Sequence, residues 1–287
     1  MMGERNREAR AGIARETLEI LSSGCYVNKS GTRIDVSEPV SQAIEKSKLY
    51  KPSMFEEKEK YIKELINQRI GTEPKIEITD ETTLSAAKRL VVCEGIIDTV
   101  CLNFASAKNP GGGFLNGSQA QEESLARSSG LYPCISQMRE MYDYNWSLKN
   151  CYYSDYMIYS PKVLVFRDDN DGLLDQPYLV SFITAPAVNA GIVRERERGN
   201  VEKIHSVMIE RIKKILSVAA LNNSKAIVLG AYGCGVFRNN SEDVAEYFRT
   251  VLFDQGFNRL FERITFAIYD NSTDSNKIRI FERALLN

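Results

Sequence analysis

Two stretches of this sequence follow the same order: a buried-type strand, a cluster of glycines, then a helix. Ile96–Phe104 leads into Asn109-Pro110-Gly111-Gly112-Gly113-Phe114-Leu115-Asn116-Gly117, and Ala226–Gly230 leads into Gly230-Ala231-Tyr232-Gly233-Cys234-Gly235-Val236-Phe237. Strands that are apolar throughout belong in a sheet covered on both faces. Open α/β sheets bind ligands beyond the carboxyl ends of such strands. The pairing therefore restricts the chain to a layered α/β fold and marks two loops as a candidate binding edge.

The rest of the chain agrees. Lys75–Thr79 reads as a strand and Thr82–Val91 as a helix, with Thr82 or Thr83 as N-cap. A helix is expected from about Ser118, two turn-linked strands at Val163–Phe166 and Tyr178–Thr184, and a long helix over Val201–Leu221. A helix at Ser241–Phe253, a strand at Ile264–Tyr269 and a helix at Asn276–Leu286 complete the pattern. This alternation implies an α/β layered domain with a mixed sheet. Before residue 75 the pattern is different: residues 4–22 and 53–70 read as charged amphipathic helices, the second ended by Gly71. We divide the chain into a helical extension, residues 1–74, packed on a core of residues 75–287. A length of 287 residues suits one large domain with an accessory layer.

Net charge of −1 argues against nonspecific binding to nucleic acid or membranes. An anionic ligand must then be held by local features such as backbone amides. No apolar run approaches the roughly 20 residues that span a bilayer, and the charged stretch Met1–Arg15 is not a secretory signal. The six cysteines are scattered without a C-x-x-C, which indicates neither a zinc site nor a redox motif but free thiols in a reducing cytoplasm. The single histidine, His205, excludes a His-rich metal site. It lies in a helical pattern (Ile204, Met208, Arg211, Ile212, Ile215) and reads as a structural or surface residue; a Cys234/His205 hydrolase is the remote alternative. Arg167–Gly172 resembles part of a calcium loop but lacks the EF-hand spacing and terminal Glu, so a polar turn is expected.

Three consecutive glycines carry a large entropic penalty. They make sense where backbone needs positive φ or must approach a ligand closely, and the freed amides can cradle phosphate oxygens. The loop is neither a P-loop nor a G-x-G-x-x-G fingerprint; alone, it would serve equally as a tight turn. Just beyond it lies Gln119-Ala120-Gln121-Glu122-Glu123-Ser124-Leu125-Ala126-Arg127, with Ser118 as a candidate N-cap. Adjacent residues on a helix point about 100° apart, so one glutamate enters a cleft while the other supports it. A partly desolvated carboxyl beside another acid has its pKa raised, as a general acid requires; a helix N-terminus opposes this. The sequence leaves that balance open, and a solvated acidic first turn has the same spelling. In the second loop, small residues with exposed amides suit a diphosphate, and Phe237 suits packing against a ribose or base. Cys234 as a nucleophile lacks a base nearby in sequence.

The run Leu102-Asn103-Phe104-Ala105-Ser106-Ala107-Lys108-Asn109-Pro110-Gly111-Gly112-Gly113, then seven residues from Phe114 to Ala120, then Gln121-Glu122-Glu123, resembles the signature of the poly(ADP-ribose) glycohydrolases, especially their microbial short form. Gln119–Tyr132, Pro186–Gly191 and Gly230–Phe237 extend the likeness over roughly residues 75–270. The resemblance implies a macrodomain-like three-layer α/β/α fold with an ADP-ribose cleft at the sheet's carboxyl edge. Glu123 takes the place of the family's catalytic acid, and Glu122 that of its neighbour, which binds the ribose beside the scissile bond. Asn109, Gly111, Gly112 and Gly113 would shape the ribose pocket, with Gln121 among the ligand contacts. The amides of Gly233, Cys234, Gly235 and Val236 would hold the diphosphate, with Phe237 against the nucleotide's sugar. No metal or cofactor is implied. The expected reaction is hydrolysis of ribose–ribose O-glycosidic bonds in poly(ADP-ribose), or in ADP-ribosylated macromolecules, releasing ADP-ribose. A reader without turnover and a mono-ADP-ribosyl hydrolase are the alternatives; no adenine-recognition residues are assigned.

Overall fold

The structure, a computed structural model, describes residues 2–71, 73–197, 199, 201–270 and 276–286, with backbone alone for residues 2–5. Helix α1 (Met2–Ser23) is followed by a small hairpin, β1 (Cys25–Val27) and β2 (Arg33–Asp35), then α2 (Ser37–Lys46), β3 (Lys48–Tyr50) and α3 (Pro52–Gln68). The chain continues through β4 (Lys75–Thr79), α4 (Thr83–Lys88), β5 (Thr99–Phe104), α5 (Gln121–Ser128), α6 (Leu131–Ser136) and α7 (Arg139–Ser147). A long hairpin of β6 (Met157–Arg167) and β7 (Leu173–Ala185) leads to α8 (Ala190–Arg196), α9 (Lys203–Leu221), β8 (Ala226–Leu229), α10 (Ser241–Arg249), β9 (Arg263–Ala267) and α11 (Asn276–Leu285).

One seven-stranded sheet has the order β3-β6-β7-β5-β8-β9-β4. Strands β7, β5, β8, β9 and β4 run parallel, whereas β6 is antiparallel to both its neighbours. Val100, Ile227 and Ile264 point into a core shared with α3 and α8–α11, through residues such as Ile62, Val193, Ile212, Phe248 and Phe281. Cys101, Val228 and Phe182 point the other way, against α4–α7, through Leu84, Leu125, Ile135 and Tyr142. The result is the expected three-layer α/β/α arrangement around a mixed sheet.

Three details depart from the sequence reading. The strands expected at 163–166 and 178–184 are the middles of an 11- and a 13-residue strand. Ser160-Pro161-Lys162 hides the start of the first, where the register shifts and Lys162 adopts a φ of 48°. The helix expected from Ser118 begins at Gln121, with Ala120 as N-cap and no side-chain cap bond. Finally, the first 74 residues are not helical alone: Lys48–Tyr50 pairs with Met157–Tyr159 as an edge of the main sheet.

Helix α1 lies outside the second helical layer, with Ala14 packed against Phe114 and Ala126. Polar bonds fix it there. Thr17 Oγ1 donates to Arg127 O at 2.6 Å, and buried Arg167 pairs with Glu16 at 2.7 Å. Arg7 Nε and Arg10 Nε donate to Asn116 O and Gly117 O at 2.9 and 2.8 Å, so α1 holds the far end of the glycine loop directly. Gly117 has φ of 71°, and a Cβ there would lie 1.9 Å from the backbone oxygen of Arg7. Gly117→Ala should therefore separate α1 from the loop and lower stability by about 2–3 kcal/mol. Scanning calorimetry checks this; an unchanged midpoint would mean that α1 does not rest on the loop.

Candidate active site

Helix α5 presents its first residues to the carboxyl end of β5, and Gln121 fixes the contact. Its side-chain oxygen accepts from Phe104 N at 2.8 Å, while its amide nitrogen donates to Leu102 O at 2.7 Å and Thr83 Oγ1 at 3.0 Å. Both donor hydrogens are taken within the protein, so Gln121, expected among the ligand contacts, also clips α5 to β5 and orients the glutamates after it.

Glu122 is sealed, at 3% exposure. Its Oε2 accepts from Ser106 N at 2.7 Å and its Oε1 from Asn103 Nδ2 at 3.3 Å. Burial pushes its pKa up to about 8; the Ser106 amide and Asn103 pull it down, and the charge of Glu123 raises it. Two further buried polar atoms in this region, Asn103 Oδ1 and Tyr142 Oη, have no hydrogen-bond partner. The Tyr142 phenol is also raised, first by burial and then by the charge of Glu122.

A pH dependence follows from Glu122. Its folded pKa of about 8 lies above its ordinary 4.5, so between those values the folded chain holds a proton that the unfolded chain has lost. Stability is full below the lower value and declines as pH rises through the upper one. Glu122→Gln should therefore gain stability relative to the parent as pH rises from about 5 to about 8. Melting curves across that range test it; a constant offset would refute it.

Glu123 is the open member of the pair, half-exposed, with Oε1 accepting from Gly113 N at 3.0 Å. The glycine loop is built around this carboxylate. Gly112 has φ of 59°, and a Cβ there would lie 2.4 Å from Glu123 Oε1 and 3.3 Å from Glu122 Oε2. At Gly113 a Cβ would lie 2.4 Å from Ser118 Oγ, and at Gly111, 2.9 Å from Phe114 Cδ1. Buried Phe114 anchors the loop against Tyr132, at 4.7 Å between ring centroids. Asn109 is exposed, and its carbonyl accepts from Gly112 N at 2.9 Å.

The second loop leaves β8, which pairs in parallel with β5 (Val100↔Ile227, Cys101↔Val228), so both loops rise from adjacent strands at one edge. Gly233 has φ of 74° and backs onto Ala187 and Asn239. Buried Asn239 donates to Val188 O and Gly233 O at 2.8 and 3.1 Å, and Gly191 N donates to Phe237 O at 3.0 Å, which ties the loop to residues 187–191. Gly235 and Val236 are exposed. Half-buried Phe237 lies 5.9 Å from Tyr153. Burial pushes the Cys234 thiol up to about 11, which opposes a thiolate nucleophile. Exposed His205 stands edge-on to Tyr247.

Sequence reasoning passed over Arg211. This buried guanidinium donates to Tyr152 O, Pro186 O and Tyr153 O at 2.8, 2.9 and 3.2 Å and pairs with Asp155 at 3.0 Å. It thereby joins the segment beside Phe237 to the end of β7. The signal was present: an arginine on the apolar stripe of a long helix is buried charge that needs a purpose.

An acidic pair, one sealed and one open, thus stands between two amide-bearing loops at the carboxyl edge of a macrodomain-like sheet. The family model described as microbial-type PARG, catalytic domain, matches residues 14–168. The structure is similar to poly(ADP-ribose) glycohydrolase from Thermomonospora curvata bound to the inhibitor ADP-HPD: 41% identity, 96% of this chain and 99% of that one covered, TM-score 0.86. It is also similar to the enzyme from Deinococcus radiodurans in complex with ADP-ribose, at 40% identity, 86% and 96% coverage and TM-score 0.78. No curated protein matches. The chain belongs to the microbial-type poly(ADP-ribose) glycohydrolase family. Among the described residues, no helix is long and apolar enough to cross a membrane.

Proposed function

We propose that this chain is a glycoside hydrolase that cleaves the ribose–ribose O-glycosidic bonds of poly(ADP-ribose) and releases ADP-ribose, with Glu123 as general acid and then general base. The observation that carries this reading is the division of labour in the acidic pair. Glu123 is held by Gly113 N at 3.0 Å yet half-exposed, while Glu122 is sealed behind it. The amides of Gly233, Cys234, Gly235 and Val236 receive the diphosphate, and Phe237 packs on the nucleotide's sugar. The terminal ribose lies against Asn109 and Gly111–Gly113, and Glu122 meets it through the sliver of its surface left open, with the lone pairs that the Asn103 and Ser106 bonds leave unused. Bond cleavage runs through an oxocarbenium-like transition state, so the departing oxygen needs the proton that Glu123 supplies. The nearby diphosphate offsets the positive charge that develops. The resulting carboxylate then takes a proton from water as the water attacks the sugar.

All six cysteines are free thiols, which supports the reducing cytoplasm as the protein's place. Recognition of ADP-ribosylated macromolecules runs through the ADP-ribose unit, not through a nucleic-acid sequence. Calorimetry with ADP-ribose and a polymer-cleavage assay on the same preparation test the function. Binding with release of ADP-ribose is expected; tight binding without release would make the chain a reader.

A further inference from the structure

The leaving group of the proposed reaction is itself a nucleoside. The oxygen that takes the proton belongs to the ribose of the preceding unit, and that ribose carries an adenine. A productive complex therefore brings a second base within one sugar of Glu123.

An aromatic surface lies beside the catalytic loop. Trp146, the only tryptophan in the chain, stands at the end of α7 with 58% of its surface exposed. Its Nε1 donates to Lys108 O at 2.9 Å, and Lys108 Nζ lies 4.9 Å from the ring centroid. Lys108 directly precedes Asn109, whose carbonyl accepts from Gly112 N at 2.9 Å, and Gly112 abuts the Glu123 carboxylate. A short chain of contacts thus runs from the indole to the reacting acid. The N–H bond explains how the ring is held. It does not explain why a large apolar ring is held in water with an ammonium group over it. An aromatic face beside a cation is the arrangement that receives a base and its phosphates.

We propose that Trp146 and Lys108 form the subsite for the leaving unit: its adenine stacks on the open face of the indole, and its phosphates meet the Lys108 ammonium. This rests on the reading of the chain as a polymer hydrolase. The subsite engages a chain of two or more units and is not needed for one.

The lone tryptophan reports its own occupancy. In Glu123→Gln protein, an oligomer of ADP-ribose should quench Trp146 emission saturably, whereas ADP-ribose alone should leave it nearly unchanged. Equal responses to the two ligands, or none, overturn the subsite. In otherwise unaltered protein, Trp146→Ala should raise KM for the oligomer about tenfold while kcat for an aryl ADP-riboside stays as it was. Trp146→Phe, which keeps a stacking face, should restore most of the oligomer affinity. Equal losses on both substrates would assign the ring to the loop's architecture and overturn the proposal. Because the quench is read on binding, a chain that binds oligomer but never releases ADP-ribose would overturn the hydrolase reading separately.

Discussion

Glu123→Gln should lower the rate of ADP-ribose release from poly(ADP-ribose) by about 10²–10⁴-fold, the span that a positioned general acid–base contributes. Affinity for ADP-ribose should change little. The amide has the carboxylate's shape, and its oxygen can still accept from Gly113 N, so the loop keeps its place. What it loses is the proton for the leaving oxygen and, afterwards, the base for water. Initial rates by product chromatography, beside a calorimetric titration of ADP-ribose, separate the two properties. Full activity in the variant would remove Glu123 from the chemistry. A loss of affinity as large as the loss of rate would instead make it a ligand contact.

Gly112→Ala should come close to that effect without removing an ionisable group. The position combines a φ of 59° with a would-be Cβ 2.4 Å from Glu123 Oε1. The loop must open or the carboxylate must move, and a displacement of about 1 Å is enough to cost about 10²-fold in rate. We expect kcat to fall by about 100-fold or more, with a folded protein by circular dichroism. Near-parental kcat would show that the glycine serves only the turn.

The reading from sequence succeeded where one residue type answers one physical demand. Three glycines in a row after a buried strand have few explanations, and the structure gives each its reason: two left-handed conformations at Gly111 and Gly112, and Ser118 against Gly113. The two glutamates were legible as a pair, and the structure gives them different burial. Which of them is desolvated was not legible, because burial depends on what the fold packs around each side chain and not on the local spelling. The raised pKa expected of a general acid falls on Glu122, the buried neighbour. The partners of Gln121 were hidden for a related reason: nothing in a Gln-Glu-Glu triplet says that they are Leu102, Phe104 and Thr83. Strand β3 was invisible because three residues carry no periodicity.

That short strand has a practical consequence for dissecting the protein. β3 and β4 close opposite edges of the sheet, although only α3 and a brief connection separate them in sequence. A fragment begun at residue 75 would keep every residue proposed for chemistry. It would also strip the Met157–Tyr159 edge of β6 of its pairing strand along an apolar rim, the kind of bare edge that recruits other chains. Insoluble fragments from such trimming would reflect a lost sheet border together with the lost hold of α1 on the glycine loop, and would not count against the proposed chemistry.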